Sequence, residues 1–387
     1  MTTDTRAHRH TSIDFLRGLV MVIMALDHVR DFFTEVRFDP ADLSQTDSAL
    51  FLTRWITHFC APVFVLLAGV SAGMMATRKS KPELSRFLLS RGLWLIFIEI
   101  TGVAFAWQFT VPWAFPLQVI WVIGISMIAL AGIIWLPTWA ILTFGAIVVL
   151  GHNLLDYGLF PMTDFTRPVP FWRIIHASGF TLDLGIPTLM LYPIIPWVGL
   201  MPLGYLLAKL YLHMETEARQ KWLIRGGLAI IALFVALRAI GLYGDPQPWS
   251  EQKDGLFTLW SFLNTLKYPP SLLFLMMTLG PGLLLLGLAE RWRGRLYDVF
   301  VTFGRVPFFY YILHLYLIHL IALVAAEMQG IGWQALLTPF WQLPQGYGFP
   351  LWVAWLVWVG VVVALYPLCR WFAGLKARRK DWWLSYL

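Results

Sequence analysis

Residues 12–33 read SIDFLRGLVMVIMALDHVRDFF, and the reading of this stretch decides the fold class. It is an apolar run long enough to cross the ~30 Å hydrocarbon core of a bilayer, which takes a helix of roughly 20 residues. Counting it as 14–33, runs of similar length recur near 51–76, 92–111, 117–136, 139–156, 187–211, 223–243, 269–290, 299–323 and 351–372. Composition agrees. Of 387 residues, 58% are hydrophobic and 13% charged, about half the charged share of an ordinary globular chain. A soluble domain of this composition would expose apolar surface everywhere, and an aromatic share of 16% excludes disorder. The 21 Trp suit a chain with two membrane–water interfaces. The expected fold is all-α: one integral-membrane domain over residues 1–387, a polytopic bundle of about ten transmembrane helices.

Ten crossings put both termini on one side, and the basic residues say which. Arg6 and Arg9, the cluster RKSKPELSR with Arg91, Lys209 to Arg225, Arg291 to Arg295, and Arg370 to Lys380 all fall on the face of the termini. Acids such as Asp39, Asp42, Asp47, Asp183, Asp245 and Asp254 gather on the other. Excess Lys and Arg stay in the cytoplasm, so both termini are expected there. The expected location is the cell membrane, multi-pass, as in the cytoplasmic membrane of a prokaryote. The net charge of +7 is then mostly topological, and a nucleic-acid partner is not expected. The N-terminus has no signal-peptide cleavage pattern, so the first run stays as a membrane helix. The outer loops near 157–186, 244–268 and 324–350 are rich in Trp, Pro and Phe and read as semi-buried caps. Cys60 and Cys369, at opposite depths, make no disulfide.

Ionisable groups at membrane depth are costly and are functional candidates. In the first run Arg17 and His28 are three turns apart on one face, about 16 Å along the axis. Asp14 and Asp31 share that face, and Asp27 points about 100° from His28. Arg54 and His58 in the second run and His314 in the ninth sit at the depth of His28. His152 with Asn153, Arg238 and His319 lie near the same layer, where the plainer reading is contact with headgroup water. His314 has Tyr310 and Tyr311 one turn away. Glu99 is expected to pair structurally with a basic loop residue. Gly69 and Gly73 form a GxxxG packing signal. No HExxH, CxxC or Asp-rich cluster supports a metal, and no GxSxG, Walker A or dinucleotide fingerprint is present.

A basic cytoplasmic mouth below a histidine layer suits an anionic, cytosol-only donor whose reactive end projects outward. Acyl-CoA fits: phosphates for Arg and Lys, a slim arm of roughly 15–20 Å, and a thioester whose acceptor needs a base. A transporter or channel using the same polar layer as a substrate path is the rival reading.

The stretch 12–33, followed by HFCAPVFVLLAGVSAG (58–73) and GRVPFFYYILHLYLIH (304–319), resembles the transmembrane acyltransferase superfamily. The nearest branch is the bacterial relatives of heparan-alpha-glucosaminide N-acetyltransferase. The resemblance implies a multi-pass enzyme moving an acyl group, acetyl above all, from cytosolic acyl-CoA to a hydroxyl or amine of an extracytoplasmic glycan or glycolipid. Acetyl-CoA is the expected co-substrate, with the sugar or lipid acceptor and membrane lipids as partners. Assembly into a homo-oligomer stays open. The resemblance implies that His28 is the catalytic histidine, and that Arg86 and Arg91 resemble paired donor-binding arginines, though more widely spaced. The lysosomal enzyme's catalytic histidine lies between its first two helices, whereas residues 34–57 here contain none. The expected roles are these: His28 as general base oriented by Asp31 or Asp27; His58, Arg54, His314 and Tyr310 toward the acceptor or the oxyanion; Arg17, Arg86, Arg91 and Arg305 toward CoA. Which of His28, His58 and His314 is the base stays open, as does direct transfer against an acyl-histidine intermediate.

Overall fold

A computed structural model of the chain describes residues 10–111, 114–156, 174–178, 180–183, 187–379 and 381–386. The first helix, α1 (Thr11–Phe33), follows the stretch that opened the reading. The second expected span is bent into α2 (Ser48–Thr57) and α3 (Cys60–Met75). Pro62 is the cause: it offers no N–H to the His58 carbonyl one turn back, and its ring crowds that carbonyl. His58 therefore sits at a bend rather than on a continuous face with Arg54. Next comes α4 (Lys81–Ile98), opened by a capping box in which Glu83 accepts from the Ser80 N–H at 2.8 Å. It runs through a π-helical segment (Glu99–Val103) into α5 (Ala104–Gln108).

Further along lie α6 (Val119–Ile133), α7 (Thr138–Gly151), α8 (Trp197–His213), α9 (Thr216–Ile240), α10 (Gly255–Leu263) and α11 (Leu272–Ala289). The ninth expected span is again two helices, α12 (Arg295–Arg305) and α13 (Pro307–Met328). Pro307 is well placed to open a helix and poorly placed to continue one. The last helix is α14 (Leu351–Arg378).

Among the described residues, seven helical runs are long and apolar enough to cross a bilayer: Ser48–Met75, Lys81–Gln108, Thr138–Asp156, Thr216–Ile240, Leu272–Ala289, Pro307–Met328 and Leu351–Arg378. Three other expected spans are helical but differ in kind. α1 carries five charged residues, α6 is 15 residues long and α8 is 17. The span expected to start at 187 begins as strand. A three-stranded sheet joins β1 (Phe115–Leu117), β2 (Phe180–Asp183) and β3 (Pro187–Met190) in the order β1-β3-β2, with Pro116 opposite Leu189. Pro193 and Pro196 then delay the helix to Trp197. The sheet is a small addition to a helical membrane bundle.

α1 is the hub, packing on α2, α3, α11, α12, α13 and α14. Its approach to α12 is a backbone contact. A Cβ on Gly18 would lie 1.7 Å from the Phe300 carbonyl oxygen, and one on Gly304 would lie 1.8 Å from that of Asp14. The Gly69 and Gly73 pair works the same way against α8, where a Cβ on Gly69 would sit 2.1 Å from the Met201 oxygen. The periphery is bare apolar surface: Trp139 on α7 is 70% exposed and Val363 on α14 is 65% exposed, as lipid-facing positions are. The bundle thus has a basic face, with the ends of α3 and α14, and an opposite face of longer connections. At the basic face Glu290 ties three elements, accepting from Ser12 at 2.8 Å and from Arg219 at 2.8 Å.

Candidate functional site

Two histidines from helices far apart in sequence meet at the centre. His28 Nδ1 lies 2.7 Å from His314 Nε2. The rings are nearly coplanar, 4° apart with centroids separated by 4.9 Å, so the bond lies edge to edge in the plane of both rings. His314 Nδ1 lies 2.8 Å from the Tyr310 carbonyl oxygen. A carbonyl only accepts, so His314 Nδ1 carries the proton and its Nε2 accepts from His28 Nδ1–H. With both rings neutral, His28 Nε2 keeps the lone pair. His28 lines a cavity and His314 is fully buried behind it. Tyr310 stacks on His314, with centroids 5.0 Å apart.

The cavity, about 370 Å³, opens toward the face of long connections. Trp107 stands edge-on to His28, centroids 5.0 Å apart, and Phe340 and Trp341 continue that wall. On the polar side Arg54 holds Asp27 with two bonds from Nη1, 2.9 and 2.7 Å, and Arg30 reaches the same carboxylate at 2.9 Å. Arg30 also pairs with Asp31. Both carboxylates are thus engaged with guanidinium groups. The partner that orients His28 through Nδ1 is His314 rather than Asp27 or Asp31, because residues 27, 30 and 31 lean toward Arg54 while His28 faces α13.

A second cavity of about 140 Å³ lies toward the basic face. Arg17 and Arg91 line it, and Leu95, Ile123, Met127 and Phe308 make it mostly apolar. Met24, Phe64 and Val119 border both cavities. Arg17 is anchored to Ser71 Oγ at 2.7 Å, to Asp14 at 3.2 Å and to the Gly304 carbonyl at 3.2 Å. The Arg91 guanidinium sits over the Tyr386 ring, 5.3 Å from its centroid.

Of the residues singled out in sequence, the structure gathers Asp27, His28, Asp31 and Arg54 on one cavity and Arg17 and Arg91 on the other. His314 and Tyr310 stand directly behind His28. His58 packs against Phe274, centroids 5.5 Å apart, and lines neither cavity. Arg86 is exposed on α4, and Arg305 is 42% exposed near Asp14, 4.0 Å away; neither borders a cavity. Other members of the expected layer are braces. His152 spans the carbonyls of Val149 and Pro270, His319 those of Ala106 and Leu336, and Arg238 donates to four carbonyl oxygens. Glu99 accepts from the Gln118 N–H at 2.7 Å, capping α6, and among the described residues no basic side chain pairs with it. Sequence reasoning passed over Lys267, which borders the His28 cavity and is the second cation of an outer loop that also holds Lys253. The only signal available was a basic residue in a loop on the mostly acidic face.

The fold defines a multi-pass helical membrane protein with one histidine-bearing cavity and a second, mostly apolar one lined by Arg17 and Arg91. Residues 9–242 match the family described as heparan-alpha-glucosaminide N-acetyltransferase, catalytic, and the chain belongs to that family. The matched segment contains His28, Arg17, Arg54 and Arg91 and stops before Lys267 and His314. No curated protein sequence matches the chain.

Proposed function

We propose that the protein moves an acetyl group from cytosolic acetyl-CoA to a hydroxyl or amine of an extracytoplasmic glycan or glycolipid, with His28 as general base. The observation that carries this reading is the pair of cavities meeting at Met24, Phe64 and Val119. One holds fixed guanidinium groups among apolar walls, a match for CoA phosphates and a pantetheine arm. The other holds the free Nε2 of His28. A thioester reaching the shared wall meets an acceptor from the other side.

The acceptor's proton passes to His28 Nε2 as its oxygen or nitrogen bonds to the thioester carbonyl carbon. The C–S bond then breaks, and the CoA thiolate takes the proton from His28. While His28 is cationic, its Nδ1–H bond to His314 becomes charge-assisted, which stabilises the imidazolium. His314 is a positioning residue here. Direct transfer needs no covalent enzyme intermediate, and the free nitrogen of His28 suits a base reaching the acceptor. Arg17 and Arg91 carry the donor role; Arg86 and Arg305, exposed away from both cavities, add only long-range attraction for the anion.

The test is release of free CoA from acetyl-CoA by detergent-purified protein with a membrane glycan extract as acceptor. His28→Ala should cut turnover by roughly 10²–10⁴-fold, the span of general-base contributions, while acetyl-CoA still binds. Full turnover in a monodisperse His28→Ala protein would remove the base assignment. Absence of acetyl-CoA binding by the wild type would remove the reaction.

A further inference from the structure

The His28 cavity holds more cations than its own carboxylates neutralise. Arg30, Arg37, Arg54 and Lys267 line it, against Asp27 and Asp31. Asp27 is engaged by Arg54 and Arg30, and Asp31 by Arg30. Arg37 is turned onto the main-chain carbonyls of Thr34, Val36 and Tyr347. Lys267 is left over. It is 8% exposed, and among the described residues no carboxylate or hydrogen-bond acceptor contacts its ammonium group. The Tyr268 ring centroid lies 5.2 Å from Nζ, and Asp27, already held by Arg54 and Arg30, feels the Lys267 charge without touching it. An ammonium that touches no anion at so buried a position is costly, and a bound anion would offset that cost.

The turn that presents Lys267 is built to hold it. Asp245 accepts from the Leu266 N–H at 2.9 Å and from Ser271 Oγ at 2.8 Å, and the Ser271 N–H donates to the Leu266 carbonyl at 2.9 Å. Arg238 grips the carbonyls of Ser261, Phe262 and Asn264 just before the turn. A side chain rooted on so fixed a backbone is pre-organised for a ligand. Around it the walls are aromatic: Trp107, Tyr192, Tyr268, Phe340 and Trp341. Flat aromatic faces pack against the C–H faces of a pyranose ring, and a few placed polar groups then set orientation.

We infer that Lys267 reads an acid group on the acceptor, and that the acceptor is a sugar carrying a carboxylate, phosphate or sulfate beside the reacting hydroxyl or amine. This rests on reading the cavity as the acceptor side of the proposed transfer, yet the binding it requires needs no donor. Calorimetry on the full chain in detergent, without acetyl-CoA, tests it with glucose, glucose 6-phosphate and glucuronate, probes that differ at carbon 6 and separate phosphate from carboxylate. The wild type should bind at least one acidic probe at least tenfold more tightly than glucose. Lys267→Met should bring that probe to the level of glucose, and Lys267→Arg should keep the preference. No preference in the wild type overturns the inference even if Lys267→Met fails to fold, and so does a preference that survives in a folded Lys267→Met. Acetyl-CoA binding on the same preparations separates the two ideas. Its absence in the wild type strikes the transfer reaction, whereas the sugar preference alone decides the role of Lys267.

Discussion

His314 is fully buried and borders neither cavity, so whatever it contributes passes through His28. It fixes the tautomer of His28 by accepting the Nδ1 proton, and it is itself fixed by the Tyr310 carbonyl 2.8 Å away. Replacing it with Leu leaves a buried N–H unpaired and frees the His28 ring to turn. The expected loss in kcat is about 10- to 100-fold, the scale seen when a hydrogen-bond partner orienting a histidine is removed, with KM for acetyl-CoA unchanged. Gln, whose carbonyl oxygen still accepts, should recover part of the rate. Steady-state kinetics of both variants settles the point: equal loss in Leu and Gln, or a change in KM alone, contradicts a positioning role. That His28 and His314 lie deep on different spans was legible in sequence. Their bond was not, because 286 positions separate them and depth along a helix says nothing of which faces meet. The arginine partners of Asp27 and Asp31 were hidden for a related reason. Single-helix geometry places both acids near His28 but cannot see Arg54 arriving on α2 to take Asp27.

At the scale of elements, the Arg17-Gly18 pair shows how a motif mixes chemistry with packing. Arg17 reaches the donor-side cavity because α1 lies flush on α12, and that contact needs Gly18 and Gly304 bare. Gly18→Ala puts a methyl group 1.7 Å from a main-chain oxygen, so the helices must separate. The cost should reach or exceed the upper end of the ~1–3 kcal/mol usual for overpacking, since backbone cannot rotate aside. Gly360→Ala on α14, where a Cβ meets nothing within 4 Å, should do the reverse and stabilise by about 0.4–1 kcal/mol through the unfolded chain. Thermal denaturation in one detergent compares the two, and a neutral Gly18→Ala contradicts the packing argument. Helical type was legible from apolar run length, though the number of separate helices was not. The breaks at His58 and Val306 were written in Pro62 and Pro307 but hidden by hydropathy, which counts a proline among apolar neighbours as continuation. The sheet was not legible, since its strands are three or four residues long and lie in a loop rich in proline and aromatics.

For the whole molecule, the proposed reaction stands or falls on sidedness. Acetyl-CoA is cytosolic, so the Arg17 and Arg91 cavity must face the cytoplasm and the His28 cavity the outside. The Lys and Arg clusters assign the basic face to the cytoplasm by the positive-inside bias. Arg37, Arg167, Arg173, Lys253 and Lys267 run against that bias in the opposite connections, and the structure gives two of them a local reason: Arg37 binds carbonyls and Lys267 borders the His28 cavity. They are single residues among acids and leave the asymmetry of the short basic loops intact. A reporter fused after Leu387, and one inserted near Lys81 ahead of α4, should therefore both read cytoplasmic. One inserted near Asp47, in the connection between α1 and α2, should read outside. Readouts of this kind require an even number of crossings between Lys81 and Leu387; the six longer runs of that stretch already give one, so α6 and α8 must cross together or not at all. α6, at 15 residues, spans only about 22 Å and does so with Arg91 and the donor-side cavity beside it, where full hydrocarbon thickness is not required. An outside signal at the C-terminus with a cytoplasmic one at Lys81 would mean an odd count and leave only one of α6 and α8 crossing. Cytoplasmic signal at Asp47 with outside signals at both other sites would invert the bundle. In that orientation acetyl-CoA could not reach Arg17 from the cytosol, and the transfer proposed here would have no donor.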